Sequence, residues 1–135
     1  MSSLKQYKAA EKSLAQQKEL VGELQVLVTD IERCEKTISD LRSELEIVNQ
    51  QHQERKTTRE DIAYLEALLK CAHKKLAWEK QMGSLKKRTP TLLQRLSALV
   101  SDTEAPPSDE MRAAMLQSLQ LVQAAMERLE KVKVE

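Results

Sequence analysis

The chain is predicted to be all-α, a long coiled-coil helix followed by a short C-terminal helical hairpin. Three observations carry that expectation. Helix-favouring Leu, Glu, Lys, Gln and Ala dominate, while the 135 residues hold two Gly, three Pro, one Trp, two Tyr and no Phe. Apolar residues at Leu20, Leu24, Leu27, Ile31, Cys34, Ile38, Leu41, Leu45 and Val48 follow steps of four and three without a miss. That period of 3.5 is the coiled-coil repeat, with Leu24, Ile31, Ile38 and Leu45 at a and the others at d. Pro90 and the pair Pro106-Pro107 then mark off two shorter segments.

Taken in order, residues 1–86 read as the long helix. Residues 49–61 admit two readings, because they carry no apolar side chain between Val48 and Ile62. One reading is a hairpin turn, with Thr57 and Glu60 three residues on forming a capping box. The other is a continuous rod with a polar break or hinge. The heptad count favours the rod, because the d series continues as Arg55, Ile62, Leu69 and Leu76, and no Gly or Pro marks a turn. Such a helix would be about 120 Å long at ~1.5 Å per residue. Beyond Ile62 the stripe broadens to Leu65, Leu68, Leu69, Ala72, Leu76, Met82 and Leu85. Residues 89–135 form the second unit. Thr89-Pro90 is a helix start signal, residues 101–107 a loop, and Ser108 the cap of a last helix with its own seam at Met115, Leu119, Val122, Met126 and Leu129.

An apolar seam of this length must be covered by another helix. The expected partner-helix seam is Leu20, Leu24, Leu27, Ile31, Cys34, Ile38, Leu41, Leu45, Val48, Ile62, Leu65, Leu69 and Leu76. A parallel homodimer along it would set Asp30 against Glu35 and form no ion pair, which favours a hetero-oligomer with other coiled-coil proteins over a homo-oligomer or a rod folded on itself as a monomeric bundle. Net charge is +1, yet residues 19–46 hold eight acidic groups against three basic, and residues 70–95 eight basic against one acidic. Lys74, Lys75, Lys80, Lys86, Lys87 and Arg88 form the expected basic patch. It could meet a polyanion such as a microtubule, nucleic acid or an acidic membrane surface, or complement an acidic helix, including residues 19–46 of another copy. Trp78 is expected to pack under the helix starting at Pro90, and His52 to weaken the coil locally.

Chemistry finds little foothold. Cys71 and His73 are two apart, on opposite sides of a helix, and Cys34 and His52 stand alone, which does not make a metal site. No Gly-rich loop or nucleophile elbow is present, so neither enzyme activity, cofactor nor small-molecule substrate is expected. Charged residues throughout 1–19 leave no signal-peptide core, and no run is long enough for a transmembrane segment. Two cysteines in such a chain suggest reduced thiols in the cytoplasm or nucleus.

In style, the heptads at 20–48 and the terminal hairpin resemble the small coiled-coil subunits of kinetochore and spindle complexes, or of organelle-tethering and trafficking complexes. That likeness implies a non-catalytic scaffold subunit. The alternative is a homo-oligomeric adaptor whose basic stretch 70–95 binds a polyanion, as on the cytoskeleton.

Overall fold

The computed structural model describes residues 2–54, 57–103 and 105–132. Among them are three helices and no strand: α1, Ser2–Gln53; α2, Thr58–Val100; α3, Asp109–Lys131. The expected class holds, a long helix followed by a shorter helical pair. No described helix is long and apolar enough to cross a membrane.

The boundaries differ from the expected ones at two places. The rod over 1–86 does not exist, because α1 ends at Gln53 and α2, which begins at Thr58, lies antiparallel along α1. Arg55, expected in the d series, lies outside the described residues. Thr57 caps α2 as the hairpin reading required, its hydroxyl accepting from the Glu60 N–H at 3.2 Å. Replacing Thr57 by Ala is expected to cost about 1 kcal/mol in urea denaturation, the usual loss of an N-cap.

The second difference is at Thr89-Pro90, which does not start a helix: α2 runs through it. A proline there removes one backbone donor, leaving the carbonyl of Lys86 without its i+4 partner. Pro90 is exposed, so water can reach that carbonyl. Burial on both sides outweighs the defect. Leu85 before it and Leu92 and Leu96 after it all enter the core. The division between residues 86 and 89 therefore falls inside one helix.

α1 is the central element, and α2 and α3 pack against it more than against each other. Ion pairs fix the direction of α2: Lys74–Glu44 at 2.7 Å, Arg88–Asp30 at 2.8 Å, and Arg95–Glu23. α3 runs parallel to α1. At its start the Ser13 hydroxyl donates to the Ala105 carbonyl at 3.2 Å, and near its end Arg128 meets Glu35 at 3.5 Å. Ser108 caps α3 as expected, accepting from the Met111 N–H at 3.1 Å.

The result is a three-helix bundle with a two-helix arm. The arm is the stretch beyond the end of α3, where only the second half of α1 and the start of α2 remain paired. At its tip the His52 and Tyr64 rings stack at 3.6 Å, and the Tyr64 hydroxyl donates to Asn49 Oδ1 at 3.0 Å.

Candidate partner-binding face

The expected seam divides into two parts with opposite fates. Leu20, Leu24, Leu27, Ile31 and Ile38 are completely buried, and Cys34 and Leu41 nearly so. They are covered by α2 and α3 of the same chain, in one core with Cys71, Leu85, Leu92, Met115, Val122 and Leu129. Each large side chain fully buried there contributes about 1.5–3 kcal/mol. The expectation that a separate chain covers this ribbon is therefore corrected. Its physical reason stands, since the ribbon needed a helix; that helix is the returning half of the hairpin. Leu45 and Val48 are half-buried, where the third layer has ended.

The second part faces solvent. Ile62, Leu65, Leu69 and Leu76 are 54%, 62%, 60% and 57% exposed. They follow steps of three, four and seven, with exposed Ala72 between the last two, so they form one heptad stripe along the outer side of α2. The side of α2 that enters the core is a different seven-residue series: Cys71, Trp78, Leu85 and Leu92. Trp78 donates its indole N–H to the Cys34 carbonyl at 3.1 Å. It thus anchors α2 to α1, and it shares a helix with Pro90 instead of packing beneath one that begins there.

The charges divide in the same way. The acidic stretch of α1 and the basic stretch of α2 pair within the chain, through Glu23–Arg95, Asp30–Arg88 and Glu44–Lys74. Each partly exposed pair contributes on the order of 0.2–1 kcal/mol, so together they set strand direction and register more than stability. The expected basic patch is dispersed by this arrangement. Lys74 and Arg88 turn towards α1. Lys86 borders a cleft with Glu127 and Glu130 of α3, and Lys87 a groove with Glu19 of α1. Lys80 is exposed and Lys75 half-buried, both beside the apolar stripe.

Among the described residues no three His, Cys, Asp or Glu side chains converge as metal ligands would. Cys34 and Cys71 are free thiols, 2% and 3% exposed. Burial pushes the Cys34 thiol above its ordinary value, partly offset by Trp78; burial and then the Glu44 carboxylate push Cys71 up. Both should react slowly with iodoacetamide in the folded protein and rapidly in urea, read by mass shift. The same shifts have a stability sign. The native state holds these protons more tightly than the unfolded chain, so the contribution is complete below the ordinary thiol pKa of 9.0 and declines as pH rises through it.

The stripe is therefore an apolar row at heptad spacing that this fold leaves uncovered, with lysines beside it; Val26 and Ile47 of α1 and Leu116 and Leu121 of α3 are exposed as well. It can pack against another helix and does no covalent chemistry by itself. Comparison with protein-family models, with curated proteins and with solved structures finds no significant match to the chain.

Proposed function

We propose that the protein is a non-catalytic helical subunit of a hetero-oligomeric assembly, a scaffold of the kinetochore, spindle or organelle-tethering kind, in the cytoplasm or nucleus. The observation that carries this reading is the exposed heptad stripe Ile62, Leu65, Leu69 and Leu76. Isolated exposed leucines are ordinary on protein surfaces, whereas a contiguous row at coiled-coil spacing marks a place for a partner. The bundle of α1, α2 and α3 would hold that row rigid, and the arm would present it clear of α3. The two free, buried thiols suit a reducing compartment.

A paired substitution, Leu65→Glu with Leu69→Glu, tests the reading. Both side chains are exposed, so the change in stability should stay within about 0.5 kcal/mol. Proteins that co-purify with the tagged wild-type chain should be lost from the variant. Retention of the same set by a folded variant would refute the reading.

A further inference from the structure

Resting on that proposed function, we infer that the chain seated on the α2 stripe is a different protein's heptad helix with acidic flanks. The stripe from Ile62 to Leu76 is a narrow row, one residue wide at a and one at d. That is the geometry of a coiled-coil seam. Membrane-surface helices present a broader apolar face, commonly with aromatic residues, and this row has none. It spans about 21 Å at ~1.5 Å per residue, which a partner helix of about four turns would cover.

The charges beside the row argue against a second copy. The three-residue step from Ile62 to Leu65 runs a to d, so on this stripe Ile62, Leu69 and Leu76 take a instead of d, and the charged flanking positions are Arg59, Glu66 and Lys80 on one side and Asp61 and Lys75 on the other. A parallel pairing of two copies sets Lys75 against Lys80 of the other copy. An antiparallel pairing with Leu69 over Ala72 sets Arg59 against Lys80 and lays Ile62 over Glu79. Shifting by one heptad, so that Leu65 lies over Leu69, brings the two Glu66 carboxylates together. Each arrangement therefore opposes like charges, which coiled coils use to reject a partner. A helix with glutamates at its flanks meets Lys75 and Lys80 in either direction, with Glu66 and the half-buried Asp61 its like-charged neighbours.

Two synthetic three-heptad peptides with Ile at a and Leu at d, one flanked by Glu and one by Lys, test this. Like-charged flanks keep each peptide from pairing with itself. In fluorescence-anisotropy titrations at low salt the Glu peptide should bind the intact protein about tenfold more tightly than the Lys peptide. Lys75→Glu with Lys80→Glu should reverse that preference, and Leu69→Glu should abolish binding of both.

Equal affinity of the two peptides would overturn the inference. So would a concentration-dependent dimer in sedimentation equilibrium that Leu69→Glu dissolves, since the occupant would then be a second copy. Flotation on phosphatidylserine–phosphatidylcholine vesicles, lost in Leu69→Glu, would overturn it in favour of a lipid surface. The two proposals fail separately. Loss of co-purifying proteins in Leu65→Glu/Leu69→Glu without peptide discrimination refutes only the acidic-flank inference, whereas their retention refutes the proposed function itself.

Discussion

Ile31→Asp should lower the unfolding free energy by about 4 kcal/mol, seen as a shift of the urea midpoint followed by circular dichroism. Ile31 is completely buried in the core that α1 shares with its two neighbours. The nearby basic groups, Arg33 and Arg88, already engage Asp30 at the surface. A carboxylate at position 31 would be buried among apolar side chains, or would protonate at similar cost. Were the ribbon an open seam awaiting another chain, the same change would leave the isolated protein no less stable. The variant thus separates a closed bundle from an open rod.

Ending the chain at Ser101 should have a still larger effect. It removes Met115, Val122 and Leu129, all completely buried, together with Met126. At about 1.5–3 kcal/mol for each large side chain, the loss is on the order of 6–12 kcal/mol. That is comparable to the whole stability of a domain, typically about 5–15 kcal/mol. The side of α1 that carries Val21 and Val28, now packed against the core, would be opened as well. Such a fragment should lose the near-ultraviolet signal of Trp78 and sediment as a self-associated species. A monomeric fragment with native spectra would show that α3 is an accessory to the hairpin and not its third layer.

The helices and the α1 ribbon were legible because periodicity reports directly that a helix has an apolar stripe. Periodicity does not report what covers the stripe. Leu20 to Leu41 would show the same spacing whether their cover came from another chain or from α2. The antiparallel return of α2 has a local signal in Thr57 and Glu60, and the unbroken heptad phase points the other way. That phase does continue through Ile62, Leu69 and Leu76, but it traces the outer side of α2. The series that faces α1 starts at Cys71 and recurs at Trp78, Leu85 and Leu92, and it was hidden because a cysteine and a tryptophan are weak markers of a seam. Charge held a clearer signal: the opposition of residues 19–46 to residues 70–95 is that of two antiparallel partners. Pro90 misled for a different reason, since a local helix-start signal gave way to the burial of Leu92 and Leu96.

The central claim is that the chain folds back to cover its own ribbon, and a distance measurement tests it most directly. Spin labels would be placed at Lys36 and Lys80, both exposed, with Cys34 and Cys71 replaced by alanine. A straight helix would separate the two positions by roughly 65 Å at ~1.5 Å per residue. Helices packed about 8–10 Å apart should instead give a distance below about 30 Å with the labels included. A short distance that persists when labelled protein is diluted with an excess of unlabelled protein is the result this fold requires. A distance near the longer value, or a short one that disappears on dilution, would contradict it.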